Sequence, residues 1–138
     1  MIVRVDPHAD VPPSRQIVEA VLDAVARGEW GPTDRLPSVR ALAEEAMVNP
    51  NTVGKAYRDL EGLGVVEGRN GSGVFVTAAG PARAREERLE RTLATLRRAA
   101  REALRAGHDP ERLAATLLAL TEERVPATAE ATPTGGVR

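Results

Sequence analysis

Within the short stretch 49–55 stand Asn49, Asn51, Thr52 and Lys55. An asparagine amide presents a donor and an acceptor side by side, which matches the major-groove edge of adenine. A threonine meets a base or the thymine methyl, and a lysine reaches guanine or phosphate. The sequence Asn70-Gly71-Ser72-Gly73 is small enough for its backbone to come close to a duplex. Catalytic chemistry has no comparable set. Cysteine is absent. His8 and His108 stand far from each other and from any metal-ligand spacing. The adjacent pairs Glu86-Glu87 and Glu122-Glu123 split across a helix surface, so neither makes an acid/base dyad. Gly71-x-Gly73 is too short for a nucleotide loop. These features predict no enzyme, no cofactor and no metal.

The polar stretch needs a helix to present it, and the sequence supplies one. Asn49-Pro50 is a capping pair followed by a residue pre-set for the first helical position. Val53, Ala56, Tyr57, Leu60 and Leu63 recur at helical spacing, and Gly64 fits the position after the last turn. Tyr57 is expected to pack in the core with its hydroxyl at the surface. Upstream, Leu36-Pro37-Ser38 starts a shorter helix, capped by Ser38, with Val39, Leu42, Ala43 and Ala46 inward. Met47-Val48 is the turn between the two. An earlier helix buries Ile17, Val18, Val21, Leu22 and Val25, with Ser14 as its expected cap, its end near Gly28, and Trp30 closing the core beyond it. Ile2-Val3-Arg4-Val5 alternates and predicts a short edge strand.

Downstream of Gly64 the period changes. Residues 65–69 and 74–76 are β-prone, and Asn70-Gly71-Ser72-Gly73 is a hairpin turn signal. Ala78-Ala79-Gly80-Pro81 breaks the chain. Residues 82–106 then predict a long helix with Leu89, Leu93, Leu96, Ala100 and Leu104 on one stripe. Asp109-Pro110 starts another with Leu113, Leu117, Leu118 and Leu120. Little chain remains to cover that leucine face, which points to a second subunit.

With 138 residues there is length for one small domain and an appendage. Trp30, Tyr57 and Phe75 are the only aromatic residues, too few for a single-strand stacking platform. A net charge of −1 predicts little non-specific attraction to nucleic acid. The charge is uneven, however: residues 35–58 carry Arg35, Arg40, Lys55 and Arg58 against Glu44 and Glu45, a net +2. No segment reads as a signal sequence or a membrane span, so a soluble cytoplasmic protein is expected.

Two helices joined by a tight turn and followed by a hairpin form a winged helix-turn-helix pattern, in which the second helix reads the major groove. The motifs Leu36-Pro37-Ser38-Val39-Arg40-Ala41-Leu42-Ala43, Val48-Asn49-Pro50-Asn51-Thr52-Val53, Ala56-Tyr57-Arg58-Asp59-Leu60-Glu61 and Gly71-Ser72-Gly73-Val74-Phe75-Val76 resemble the GntR family of bacterial transcription factors. The small YtrA-like subfamily is the form they resemble most. The likeness covers about residues 11–77. It implies that Arg40 contacts a base, that Arg35 and Ser38 contact phosphate, and that Asn49, Asn51, Thr52 and Lys55 read the groove. It also implies that Asn70, Gly71 and Ser72 form a wing tip entering the minor groove. Ser72 stands where the family often has Arg or Lys, Gly54 lies inside the reading helix, and the aromatic usual near Ser14 is absent.

The expected protein is mainly α with a small β-hairpin: a winged helix-turn-helix followed by a two-helix dimerisation appendage. Residues 1–78 would bind DNA, 79–125 would dimerise, and 126–138 would be a disordered tail. Its partners would be double-stranded DNA and a second copy of itself, with no membrane. Leu89, Leu93, Leu96, Leu104, Leu113, Leu117 and Leu120 would form the dimer interface. A small-molecule effector, of which the sequence identifies none, would act at that helical interface. The expected function is a repressor on a pseudo-palindromic operator. The rival is a winged helix used only for protein–protein contact, which would not need Arg40 together with Asn49, Asn51 and Thr52.

Overall fold

The structure is a computed structural model that describes residues 3–123; the tail expected at 126–138 lies outside them. Five helices and one hairpin follow in the order α1 (Pro13–Ala26), α2 (Val39–Ala46), α3 (Pro50–Gly62), β1 (Val66–Arg69), β2 (Gly73–Val76), α4 (Gly80–Arg105) and α5 (Pro110–Glu122). The contacts divide the chain at Thr92/Leu93, so the first compact unit takes in the N-terminal half of α4.

In the first unit, α1 and α2 pack on α3. The apolar stripes read from sequence are the core: Ile17, Val18, Val21, Leu22 and Val25 of α1, Leu42, Ala43 and Ala46 of α2, and Val53, Ala56, Tyr57 and Leu60 of α3 are all buried. Each fully buried Ile, Leu or Val contributes about 1.5–3 kcal/mol relative to exposure. Val39 and Leu63 are partly buried against this cluster, as is Trp30.

The hairpin pairs Val66 with Val76 and Arg69 with Gly73 in an antiparallel register. A third segment lines its other side. The Leu36 amide donates to the Val74 carbonyl and the Val76 amide to the Asp34 carbonyl, both at 2.9 Å, and the Thr33 amide donates to the Val76 carbonyl. The α1–α2 connection thus runs along β2, with an isolated bridge between Arg35 and Phe75.

Four local expectations are corrected. The segment around Val3–Val5 is not a strand: Val3 is buried in the core and its amide donates to the Glu45 carboxylate, so no ladder forms. Ser14 is not the cap of α1. Pro12 holds that position without a side-chain hydrogen bond, because Pro13, which lacks an amide hydrogen, is tolerated at the first helical position. The Tyr57 hydroxyl is not at the surface; it donates to the Pro37 carbonyl at 2.7 Å. Gly80 and Pro81 do not break the chain but form the first turn of α4, where proline costs no hydrogen bond.

Sequence reading missed how α4 is rooted. Gly80 and Ala84 are buried. The Arg91 guanidinium donates to Asp23 of α1 at 2.7 Å, and Arg88 lies 3.8 Å from the same carboxylate.

In the second unit, α5 starts on Asp109, whose carboxylate accepts from the Glu111 amide. Leu96, Ala99, Ala103, Leu113, Leu117 and Leu120 line an apolar groove between the last turns of α4 and α5. Leu93, Leu96, Leu104, Leu117, Leu118 and Leu120 are each at least 43% exposed, and no residue of α5 is buried. Leu89, in the first unit, is 70% exposed. No helix among the described residues is long and apolar enough to cross a membrane.

Candidate nucleic-acid interface

The interface is assembled from helix starts. Ser38 has extended backbone and its hydroxyl accepts from the Ala41 amide at 3.1 Å, which begins α2. Arg40 follows on the exposed side of α2. The helix ends at Met47, which adopts the left-handed conformation (φ 56°, ψ 46°), and the Val48 amide returns to the Ala43 carbonyl at 3.0 Å. This closing pattern reverses the chain within three residues. A non-glycine residue there is strained, and Met47 is also 91% exposed.

Asn49 then starts α3. Its side-chain oxygen accepts from the Asn51 amide at 2.8 Å, and Pro50 occupies the first turn. Asn49 is therefore a cap, as its position in the sequence predicts, and its amide NH2 remains to face a partner. Val53, Ala56, Tyr57 and Leu60 take the inner side of α3; Asn51, Lys55 and Arg58 lie on the opposite, exposed side, with Thr52 half-buried between. The amides of this first turn are answered by Asn49 itself, and the dipole of α3 still favours an anion at its start.

Lys55 is exposed but not without partners. Its Nζ lies 3.7 Å from the Asp59 carboxylate one turn along α3 and 3.5 Å from the Ser14 hydroxyl of α1. Ser14, read from sequence as a cap, thus serves as a rest for Lys55. Beneath this face, burial pushes the Tyr57 hydroxyl well above the usual tyrosine range, with the Glu45 carboxylate adding to the shift. Tyr57 stays neutral and ties α3 to the entry of α2.

The hairpin tip is Asn70-Gly71-Ser72, all exposed, with Gly71 at φ +73° and Gly73 at φ +115°. Gly73 also has a packing reason. The Arg35 guanidinium lies so close that an added Cβ would sit 2.6 Å from its Nε. Arg35 is accordingly placed at the wing, a proximity that no local sequence signal carries. Arg69 lies over the Phe75 ring, 4.7 Å from its centre, which stiffens the wing.

The structure therefore gathers two groups of the expected residues: Ser38, Arg40, Asn49, Asn51, Thr52 and Lys55 at the starts of α2 and α3, and Arg35 with Asn70, Gly71 and Ser72 at the wing. Among the described residues no cluster of His, Asp and Glu is placed to hold a metal ion.

Known proteins resemble this chain in sequence and fold. The family model of bacterial regulatory proteins of the gntR family matches residues 13–76. The HTH-type transcriptional repressor YtrA of Bacillus subtilis (strain 168) is 38% identical over 76 residues, which is 55% of this chain and 58% of that protein. The chain spans 58, 50 and 65% of the first three curated relatives it matches. A transcriptional regulator from Oenococcus oeni superposes with a TM-score of 0.69 at 31% identity, covering 85% of this chain and 97% of that one. YtrA from Sulfolobus acidocaldarius, a GntR-family transcription factor, gives a TM-score of 0.54 at 31% identity over 68% of this chain and 99% of that one. On these matches the chain belongs to the GntR family of bacterial regulatory proteins, which are DNA-binding transcription regulators and not enzymes.

Proposed function

We propose that this chain is a cytoplasmic repressor that binds a pseudo-palindromic operator as a homodimer. The observation that carries the reading is the division of α3: one side is fully engaged in the core, while Asn51 and Lys55 stand exposed beside a capped, dipole-bearing helix start. Such a helix start enters the major groove with its first residues at the base edges. In this reading Asn51 pairs with adenine, Asn49 donates through its free NH2, and Thr52 meets a base or a thymine methyl. Arg40 contacts a base from α2. Lys55 exchanges Asp59 for guanine or phosphate. Ser38 and Arg35 hold phosphates and fix the register. Asn70, Gly71 and Ser72 approach the minor groove through backbone and amide, since the tip carries no cation.

The second copy enters through the helices. Residues 1–78 bind DNA, and residues 79–125 hold two copies together through Leu89, Leu93, Leu96, Leu104, Leu113, Leu117 and Leu120. Six of these are exposed and Leu113 is half-buried, which supports this, because a face of that kind is the form a buried interface takes when its partner is absent. A two-fold dimer requires two inverted half-sites and fixes their spacing. Repression follows by exclusion of polymerase. A small apolar effector would act in the α4–α5 groove and shift half-site spacing.

The test is selection of bound duplexes from a random pool with the full chain, with sedimentation of the resulting complex. Two inverted half-sites and two chains per duplex are expected. No enriched sequence would overturn the DNA-reading role, and one half-site held by one chain would overturn the dimer.

A further inference from the structure

The exposed side of α3 carries two cations, and the structure treats them differently. Lys55 is held by Asp59 and Ser14. Arg58 makes no hydrogen bond or ion pair among the described residues, yet it is not splayed outward: its Nη1 lies 3.5 Å from the point where Gly54 would carry a Cβ. Gly54 precedes Arg58 by one helical turn. The guanidinium has therefore been laid back along α3 toward its N-terminal end, over a stretch of helix with no side chain.

The fold itself gives no reason for that glycine. Its φ is ordinary, and no backbone or core atom crowds it; the Arg58 guanidinium is its sole neighbour at contact distance. Within a helix, glycine costs about 1 kcal/mol relative to alanine. An alanine would just touch Arg58, whereas a longer side chain would occupy the guanidinium's place. Resting on the reading of α3 as the groove-entering helix, we infer that Gly54 and Arg58 form one device: the bare helix surface lets Arg58 lie forward and bind a DNA phosphate at the wall of the groove that Asn51 reads. Phosphate is the ligand because Arg58 stands two turns behind Asn51, where the flanking strand and not the base edges lies within reach. An unengaged guanidinium suits a phosphate in geometry and charge.

The experiment titrates full-length wild type, Arg58→Ala, Arg58→Lys, Gly54→Ala, Gly54→Leu and the Gly54→Leu/Arg58→Ala double variant against the selected duplex and a scrambled one, over about 50–200 mM salt. Arg58→Ala should weaken both duplexes by about tenfold at the lowest salt, and its log K against log salt should be shallower by about one. Arg58→Lys should keep the slope, and Gly54→Ala should resemble wild type. Gly54→Leu should reproduce Arg58→Ala, with no further loss in the double variant, while its thermal melt stays at or above wild type. A wild-type slope for Arg58→Ala would overturn the phosphate contact, and full affinity of Gly54→Leu would overturn the role of Gly54. Loss of sequence selectivity on Asn51→Ala is the control: if wild type itself selects no sequence, the reading of α3 fails; if only the Arg58 slope is unchanged, this inference alone fails.

Discussion

Replacing Gly80 with alanine should loosen the joint between the wing and α4, and the structure sets the size of the effect. An alanine Cβ would lie 2.5 Å from the Val65 carbonyl oxygen, 2.8 Å from Val76 Cγ1 and 3.3 Å from the Thr77 hydroxyl. That oxygen is already engaged, accepting from the Thr77 amide at 3.0 Å. Restoring an ordinary contact moves it by about 1 Å and stretches that hydrogen bond. Overpacking costs about 1–3 kcal/mol and the weakened bond about 0.5–1.5 kcal/mol. The helix gains at most about 1 kcal/mol from losing a glycine. The net loss is about 2 kcal/mol, which lowers the Tm of a unit this size by about 8–16 °C. Circular-dichroism melts of wild type and Gly80→Ala measure it. Gly62→Ala is the internal control: nothing lies within 4 Å of a Cβ there, so that variant should melt at or above wild type. A Gly80→Ala protein as stable as Gly62→Ala would refute the packing argument.

Arg40→Ala should cost about 1–3 kcal/mol of operator binding and relax preference at one base pair; unchanged selection from a random pool would remove Arg40 from the base contacts. Leu96→Arg with Leu117→Arg should give a folded monomer by sedimentation, and a surviving dimer would refute the leucine interface. Tyr57→Phe removes the hydroxyl bond to Pro37 and should destabilise by about 1 kcal/mol at neutral pH. It should also flatten the alkaline limb of stability. Above about pH 10 the unfolded chain releases a proton that the buried hydroxyl keeps. The unfolded state then binds fewer protons, and stability falls as pH rises. An alkaline limb unchanged in Tyr57→Phe would refute this.

Most of the first unit was legible because its signals are local. Ser38 and Asn49 are caps as their positions predict, as is Asp109 in the second unit, and the stripes of α1, α2 and α3 are the core. What escaped is what depends on distant partners. Val3 alternates like a strand residue, but its amide meets Glu45, 42 positions away. That Arg35 also reaches the wing is set by its segment's hydrogen bonds to β2. Asp23 looks like an ordinary surface carboxylate until α4 brings Arg91 to it, 68 positions on. Ser14 and Lys55 meet only because α1 packs on α3. Helical periodicity specifies which side is buried, not which polar atom waits opposite.

The segment that lines β2 has a consequence for how copies of this protein can meet. A two-stranded hairpin has two open edges, each able to add a strand from a neighbouring molecule. Here Val74 and Val76 are already paired with residues 33–36 on one edge. On the other, the Gly68 amide donates to the Glu61 carboxylate of α3 at 3.1 Å. The β2 rim and the Gly68 amide of the β1 rim are thus answered from within the chain, so the wing offers poor templating for intermolecular sheet growth. It can stay exposed at high concentration without seeding aggregates.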